Sequence, residues 1–465
     1  MKNKLNILSI LSIILSFTLL VILYFLNILP FKYYLLGVIV MIILNVFSIL
    51  IVNRKSKVLK VLGVFLLVGV LTINGFGIYF VNNTNKLLNS IGVVTEKSVY
   101  YVVVNKNSKY SKLKDLNNKN LSLVKDENKT YESVINILSD NIDFSTKYYD
   151  NLPEMYNDLL SNNIDGIIIN SSTYDIICEY NLNFKESTKI IDKISINIKK
   201  DDDKKEEVIS ESFNILISGI DTNGSIDRVS RSDVNIVVTV NTKTHEVLFT
   251  TIPRDTEVRL HGTTGLTDKL THAGIYGIDM SRQTIEDFLN TKIDYYVRVN
   301  FDSLTNVVDS IGGVDINNDI AFNGHTRVFE AGNIHLNGKE ALEYSRERKK
   351  MPNGDYTRGL HQTVVLEGII RKITTSPKIL KNYSRFVDNL GGFIQTNVPE
   401  DIFKGLVRDQ LNYTPNWTYK TQAVEGDGNL QETYSMPGMN LYVSIPNEES
   451  RLSCSETINN TLNNK

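Results

Sequence analysis

Residues 214–221 read NILISGID, and this short stretch decides the fold. Its apolar run is typical of a strand that is buried on both faces, and Asp221 follows at the carboxyl end, where open α/β sheets usually bind their ligands. Residues 234–240 and 246–251 are also rich in apolar and β-branched residues and predict two further strands. The sequence therefore predicts an α/β domain with a binding site at one edge of its sheet.

Charged residues stand at the ends of these three predicted strands. Asp221 follows the first strand, Arg231 and Asp233 precede or open the second, and Arg254 follows the third. Two carboxylates commonly hold Mg²⁺, and guanidinium groups fit phosphate oxygens in a bidentate manner. Each charge alone is more simply explained as a solvated surface group or a structural ion pair. Together they favour a site for a divalent cation and a phosphate.

A predicted helix over residues 338–344 runs into Arg346 and Arg348, which adds two further guanidinium groups.

Other catalytic classes are disfavoured, because the sequence lacks their motifs. The six histidines show neither the His-x-x-x-His nor the His-Glu-x-x-His spacing of zinc hydrolases. There is also no Gly-x-Ser-x-Gly motif and no Walker-type loop, so acyl transfer and nucleotide hydrolysis are not indicated.

The next predicted helix, residues 356–373, carries polar groups on an otherwise apolar segment. Asp355 is a suitable N-cap for it. Arg358, His361 and Gln362 are spaced i, i+3 and i+4, which predicts that all three project from one face. Such a polar face needs an explanation, and an anion site is one.

Three long apolar runs begin the chain, at residues 5–29, 33–52 and 61–81, and each is long enough to cross a bilayer. The loop after the second run carries four Lys or Arg residues, whereas the turn after the first carries one, so we expect the N-terminus inside. The alternative for the first run is a cleaved signal peptide, but no small-residue cleavage pattern follows it. We expect a multi-pass cell-membrane protein whose later domains lie outside the cytoplasm.

Changes in amino-acid composition and sequence pattern divide the chain into four predicted parts. A membrane anchor spans residues 1–82, an accessory α/β domain and its linker 83–210, a catalytic core 211–375, and a C-terminal part that completes the catalytic domain 376–465. Within the last part we expect a late strand, residues 440–446, to close the sheet.

The accessory part predicts three strands and two helices, faintly similar to half of a solute-binding-protein fold. Whether it binds a ligand or serves as a spacer or interaction domain stays open. The charged run at residues 199–207 predicts a linker, because it can bury nothing. The predicted strands are residues 98–104, 121–124 and 165–170, and the predicted helices are residues 131–138 and 153–160.

Charge and cysteine content exclude some partners and leave others open. The chain contains 50 Lys and Arg residues and 52 Asp and Glu residues, which gives a net charge of -2. This balance does not indicate the basic surface by which proteins bind nucleic acid. Cys178 and Cys454 have no metal-binding spacing, and we interpret both as structural, with their pairing left open.

Across residues 212–374, seven blocks agree in order, spacing and residue type with one known family, and the chain strongly resembles the LytR-CpsA-Psr (LCP) family of cell-wall phosphotransferases. Its three spans and accessory domain are similar to the streptococcal capsule-associated members, which implies a catalytic domain on the extracellular face of a Gram-positive-type bacterium. The resemblance implies an α/β/α domain with a central mixed sheet and an apolar channel for a polyprenyl chain. The blocks are residues 219–221, 231–233, 252–256, 269–273, 308–314, 341–348 and 355–362.

The same resemblance implies an activity and a set of roles. The activity is transfer of a glycosyl phosphate from a polyprenyl-pyrophosphate-linked polymer, of capsular or teichoic-acid type, to peptidoglycan. Asp221 and Asp233 are expected to bind Mg²⁺, with Mn²⁺ as an alternative. Arg254, Arg231 and Asp233 are the expected catalytic residues, with Arg254 as the essential one and Asp233 as the preferred general base. The expected substrate-binding residues are Lys269, Arg346, Arg348, Asp355, Arg358 and Gln362.

One departure and several rivals accompany this interpretation. Members commonly carry Arg before the Gln pair, where this chain has His361 before Gln362, so we expect less positive charge in the site at neutral pH. A hydrolase that cleaves the same pyrophosphate would use the same metal-binding carboxylates and arginines. A non-catalytic protein that binds the lipid-linked polymer is a further alternative. A DNA-binding regulator is disfavoured, because no helix-turn-helix pattern is present.

Overall fold

The computed structural model describes residues 2–90, 96–125, 130–198, 211–221, 225–352, 354–375, 394–413 and 416–463. The predicted linker at residues 199–207 lies outside them. The chain forms two compact units: the first contains residues 1–92, 373–392 and 398–417, and the second contains residues 93–372, 393–397 and 418–465.

The first unit contains three helices long and apolar enough to cross a membrane, α1 (Lys2–Leu26), α2 (Phe31–Val52) and α3 (Lys57–Ser90). Pro30 stands at the start of α2, where its fixed φ suits a helix start and its missing N–H costs nothing. The prediction of three apolar N-terminal helices is confirmed. The chain is therefore anchored in a membrane through these helices.

Polar side chains from all three helices meet inside this bundle. Asn45 of α2 accepts a hydrogen bond from Ser12 at 2.6 Å and donates one to Ser16 at 2.9 Å, both on α1. Asn74 of α3 donates to Ser16 at 2.8 Å. Because lipid offers no competing partners, such bonds stabilise helix association.

The second unit begins with a five-stranded sheet in the order β3-β2-β4-β1-β5. β2 pairs in parallel with β3 and β4, and β1 pairs antiparallel with β4 and β5. The prediction of a small α/β domain is confirmed. Its strands are β1 (Lys97–Asn105), β2 (Lys119–Val124), β3 (Phe144–Tyr149), β4 (Gly166–Asn170) and β5 (Thr188–Asn197), and its helices are α4 (Thr130–Ser139), α5 (Leu152–Leu160), α6 (Ser171–Tyr180) and α7 (Leu182–Ser187).

The domain that follows, predicted to be the catalytic one, is built on a six-stranded mixed sheet in the order β16-β11-β6-β7-β8-β17. β6, β7 and β8 pair antiparallel, while β11 is parallel to β6 and β17 is parallel to β8. The expected α/β domain with a central mixed sheet is confirmed. The strands are β6 (Ser212–Ile220), β7 (Ser232–Asn241), β8 (Glu246–Thr251), β11 (Tyr295–Val299), β16 (Gln395–Thr396) and β17 (Thr418–Ala423).

The two faces of this sheet have different neighbours, because successive side chains of a strand point to opposite sides. Leu216 and Val237 belong to a core with helices α9 and α14. Their neighbours Ile217 and Ile236 line a cavity together with residues of α10 and α12. The helices of the domain are α8 (Leu270–Ala273), α9 (Ile278–Leu289), α10 (Phe301–Ser310), α11 (Gly338–Arg346), α12 (Asp355–Thr375) and α14 (Glu448–Leu462), while α13 (Glu400–Tyr413) lies in the first unit.

The late strand does not close the sheet, and this prediction was wrong. β19 (Met436–Pro446) pairs antiparallel with β18 (Gly426–Thr433) in a separate two-stranded sheet. The edges of the main sheet are β16 and β17 instead. The remaining short strands are β9 (Glu257–Val258), β10 (Asp268–Lys269), β12 (Val314–Asn318), β13 (Phe322–Asn323), β14 (Val328–Phe329) and β15 (Gly332–Leu336), and the 3₁₀ helices are Leu113–Leu116 and Gly274–Tyr276.

The two cysteines are free and buried in different cores. Cys178 belongs to the accessory core and Cys454 to the catalytic core. Burial raises the pKa of both thiols, that of Cys454 to about 11. Both residues therefore pack as small apolar side chains, as a structural role requires.

Candidate active site

The ends of β6, β7 and β8 bring the predicted charged residues to one edge of the sheet. This follows from the antiparallel pairing, because the carboxyl end of β6 meets the start of β7, and the start of β7 meets the carboxyl end of β8. Arg231 donates to Asp221 at 2.9 Å, and Arg254 donates to Asp233 at 2.6 Å. Two arginine–carboxylate pairs thus stand side by side at the sheet edge.

Further residues brace these pairs. The hydroxyl of Thr271 donates to the second carboxylate oxygen of Asp233 at 2.9 Å. Asp255, which is buried, lies 2.5 Å from the ammonium of Lys269 and 3.8 Å from the guanidinium of Arg254. Because both sides of Arg254 carry carboxylates, its guanidinium is held in one orientation.

Helices α11 and α12 supply the opposite wall. Arg358 forms an ion pair with Asp355 one turn earlier on α12. The amide of Gln362 donates to the carbonyl of Ser345 at 3.3 Å, which ties α12 to α11. The guanidinium of Arg346 lies over the ring of Phe301, 4.2 Å from its centre, in a cation–π contact.

Electrostatics within the site favour ionised carboxylates next to arginines. Burial alone would raise the pKa of Asp233. The guanidinium groups of Arg254, Arg231 and Arg358 outweigh that effect and hold the pKa below its ordinary value. Asp355 differs, because burial outweighs Arg358 and raises the pKa of that carboxyl. The site is thus asymmetric, because the pKa of Asp233 is lowered and that of Asp355 is raised.

A cavity of about 680 Å³ lies between the sheet, α10 and α12. Its lining is partly apolar and partly charged, and the charged residues include Asp221, Arg231, Asp233 and Arg254 at the strand ends. The other site residues that line it are Arg346, Arg348, Arg358 and Gln362, and its apolar lining includes Ile217, Ile220, Val234, Ile236, Val299, Phe301, Leu304, Leu342, Val365, Leu366 and Ile369.

A second cavity, of about 880 Å³, adjoins the first and is more polar. Arg254 and Arg348 line both cavities. Lys269 and Asp355 line the second cavity and are absent from the lining of the first. The structure therefore brings together all the residues predicted for the site, but divides them between two adjoining spaces.

Comparison with known protein families identifies relatives of this chain. The model of the LytR_cpsA_psr family matches residues 180–445, which is more than half of the chain. The chain belongs to the LytR-CpsA-Psr family. Residues before 180, which include strands β1 to β4 and helices α4 and α5 of the accessory domain, lie outside the match, whereas α7 and β5 lie inside it.

Relatives of this LytR-CpsA-Psr protein carry a common name. A Bacillus cereus protein named polyisoprenyl-teichoic acid–peptidoglycan teichoic acid transferase TagU is 36% identical over 53% of this chain and 81% of the relative. A protein of that name from Enterococcus faecalis is 35% identical over 48% of this chain and 74% of the relative. Among solved structures, B. subtilis TagV is 29% identical with a TM-score of 0.47, covering 55% of this chain and 99% of that one.

His361 departs from the sequence-based expectation. Arg358 and Gln362 line the first cavity, but His361 packs its ring on Tyr344, at 4.2 Å between centres, and on Phe322. Burial lowers the pKa of His361, so the imidazole is neutral at pH 7. The prediction that all three share one polar face was wrong, because the i+3 position turns toward the aromatic cluster. In this LCP protein His361 is a packing residue.

Two groups in the cavity walls were missed. Glu179 lines both cavities but comes from α6 of the accessory domain, so no motif in the catalytic segment signals it. Asp255 directly follows Arg254 in a quoted block, and its charge next to a buried basic residue was the available signal. The predicted roles of the site residues stay predictions, although the geometry is compatible with them.

The carboxylates suit a divalent cation that shares its shell with substrate. Among the described residues, no group of three or more His, Cys, Asp or Glu side chains could hold a metal ion. Asp221 and Asp233 would therefore act as a pair, with phosphate oxygens and waters completing the shell, as Mg²⁺ prefers. Both line the cavity. Their carboxylate oxygens are ligands of the kind that Mg²⁺ binds, and magnesium binding stays a prediction.

Proposed function

We propose that this protein transfers a glycosyl phosphate from a polyprenyl-pyrophosphate-linked cell-wall polymer, of teichoic-acid or capsular type, to peptidoglycan. That the chain is a transferase of the LCP family is confirmed by its relatives. The specific donor, the use of Mg²⁺ and the extracellular placement of the catalytic domain belong to the proposal. The three apolar helices support a membrane location, where a polyprenyl-linked donor resides.

One observation carries the proposal, namely the mixed lining of the first cavity. Aliphatic and aromatic side chains line it together with arginines and carboxylates, and Asp221, Arg231, Asp233 and Arg254 of this set stand at the strand ends. An apolar space suits a prenyl chain, because burying it gains about 25 cal/mol per Å². An arginine cluster in the same cavity suits the pyrophosphate that follows the chain.

The reaction needs charge stabilisation more than covalent chemistry. An acceptor hydroxyl of peptidoglycan attacks the phosphorus that bears the glycan, and the bond from that phosphorus to the bridging oxygen breaks. Polyprenyl phosphate leaves, and a glycan phosphodiester forms. Negative charge grows on the bridging oxygen and the transferred phosphoryl group, so preorganised arginines lower the barrier. Arg254 is best held for this role, because Asp233 and Asp255 flank its guanidinium.

Mg²⁺, held by Asp221 and Asp233 when bound, would supply further neutralisation of the phosphate oxygens. The same geometry bears on the general base. Asp233 was the preferred base, yet its lowered pKa makes it a weak proton acceptor. Its pairing with Arg254 and Thr271 suits an anchoring role as well.

A release assay on the full chain in detergent micelles tests the proposal. The substrate is a polyprenyl-pyrophosphoryl saccharide with label in the sugar, assayed with and without Mg²⁺ and peptidoglycan. The Arg254→Ala variant is expected to lose at least about 100-fold in rate, as enzymes do when a preorganised charge donor is removed. Arg259→Ala is the matched control, since Arg259 is exposed and bonds only the carbonyl of Gly265 in the described structure.

The products separate the rivals. Release of polyprenyl phosphate that requires Arg254, with label on peptidoglycan, supports the transferase. Label recovered only as free sugar phosphate would replace it with a pyrophosphate hydrolase. Tight binding of the donor with no release in any condition would leave a carrier of lipid-linked polymer.

A further inference from the structure

The accessory domain reaches the active site through helix α6. Glu179, near the carboxyl end of that helix, accepts a hydrogen bond from Arg231 at 2.9 Å. The other terminal nitrogen of Arg231 donates to Asp221, also at 2.9 Å. The guanidinium is therefore held between two carboxylates, one from the accessory domain and one from the catalytic sheet.

The segment that leads into Arg231 is held by the same domain. Lys97 of β1 forms an ion pair with Asp227 at 2.7 Å and pairs with Arg228 through a short backbone bridge. Arg228 donates to the hydroxyl of Tyr101 at 3.3 Å, and Asp175, one turn before Glu179 on α6, lies 3.8 Å from Arg228. Backbone and side chains of the accessory domain thus restrain the loop before β7.

The accessory domain is attached to the catalytic domain through a buried ion pair and a shared apolar core. Glu96 and Arg298 form an ion pair in which both side chains are almost fully buried. The accessory core also includes Ile275, Met436 and Leu441 of the catalytic domain. A helix fixed in this way can hold a partner in place, whereas a loosely tethered one cannot.

We propose that Glu179 is a positioning residue: the accessory domain uses it to fix the guanidinium of Arg231 toward the donor phosphate. The inference rests on the proposed function and extends it to a residue of the accessory domain that lies just before the family match. Arg231 alone could swing away from the cavity, because an arginine has several rotatable bonds. Clamping it from both sides removes that freedom before the donor binds.

A positioning role of Glu179 and a purely electrostatic role predict different effects on donor binding and on turnover. Removing a negative charge near an anion site should tighten donor binding, or leave it unchanged. Weakening the bond between Glu179 and Arg231 should slow turnover, because the guanidinium then spends less time in the orientation that contacts the donor phosphate. Glu179→Gln is therefore expected to lower kcat roughly tenfold without raising KM, because the amide oxygen still accepts from Arg231 but without the negative charge that strengthens the hydrogen bond.

The experiment uses the full chain in detergent with the labelled donor and peptidoglycan. Binding sites are counted by calorimetric titration with farnesyl pyrophosphate, so that kcat refers to competent enzyme. Glu186→Gln on α7 is the control, because Glu186 is an exposed acid of the same domain that lines neither cavity. Glu179→Asp, which keeps the charge on a shorter stem, is expected to recover part of the rate.

A second background shows whether Glu179 acts through Arg231. Lysine at position 231 offers a single ammonium and cannot span two carboxylates as a guanidinium does. In the Arg231→Lys protein, Glu179→Gln is expected to change kcat by less than about twofold. A full effect in that background, an equal effect of Glu186→Gln, or a wild-type kcat in Glu179→Gln would overturn the inference. If the wild-type chain neither binds farnesyl pyrophosphate nor transfers label, the proposed function itself has failed.

Discussion

Replacing Glu96 by glutamine should destabilise the second unit strongly. Glu96 and Arg298 are almost completely buried, with side chains 2% and 1% exposed. Arg298 also donates to the carbonyl of Arg228 at 3.0 Å, and Glu96 accepts from the backbone N–H of Ile278. Glu96→Gln keeps the shape and the acceptor for Ile278 but leaves the guanidinium without its counter-charge.

The magnitude follows from the burial of both groups. Leaving one member of a buried ion pair uncompensated costs about 3–5 kcal/mol. The second unit contains more than 300 residues. At an unfolding entropy of about 2.1 cal/mol/K per residue, 1 kcal/mol shifts the Tm of such a unit by about 1.4 °C, so we expect a fall of roughly 4–7 °C. The double variant Glu96→Gln with Arg298→Met should recover most of that loss, because it buries no unpaired charge.

Thermal unfolding followed by circular dichroism on the full chain in detergent measures this. Glu132→Gln is the control, since Glu132 is an exposed acid on α4 of the same domain. A Glu96→Gln protein that melts within about 1 °C of wild type would refute the reasoning. A double variant no more stable than the single one would refute it equally.

Three further predictions concern other parts of the chain. His361→Phe should flatten the fall in stability between pH 7 and pH 5: burial lowers the pKa of His361, so the unfolded chain binds a proton first and each pH unit costs at most about 1.4 kcal/mol, measurable by denaturant unfolding. Asn45→Leu should weaken association of the three membrane helices by about 1–2 kcal/mol in a detergent-unfolding titration, and an unchanged midpoint would exclude a role for its hydrogen bonds. Asp233→Asn should abolish transfer, whether Asp233 anchors Arg254 or accepts a proton, and retained transfer would exclude both roles.

Much of the architecture follows from local patterns. The apolar runs around Leu216, Val237 and Leu248 predict β6, β7 and β8 well, because both faces of each strand are covered. Once these strands are placed, alternating directions bring Asp221 and Arg254 to the same edge, so the site could be predicted as well.

What could not be predicted depends on partners distant in sequence. Glu179 acts on a residue of another domain, and helical spacing within α6 carries no trace of that contact. His361 was assigned to the wrong side because the i, i+3 and i+4 positions of a helix cover a wide arc, and Tyr344 offers an aromatic surface at its border. The strand at β19 was recognised, but which strand it pairs with is a tertiary choice.

The identity of the product tests the central claim most directly. The full chain is incubated with peptidoglycan and the lipid-linked donor, and the peptidoglycan is then digested to muropeptides. The masses of the muropeptides are measured by mass spectrometry, and the released polyprenyl phosphate is measured in parallel. The account predicts saccharide joined to muropeptide through one phosphate, in an amount equal to the polyprenyl monophosphate released. Polyprenyl phosphate released beside unmodified muropeptides, or no release at all, would contradict it.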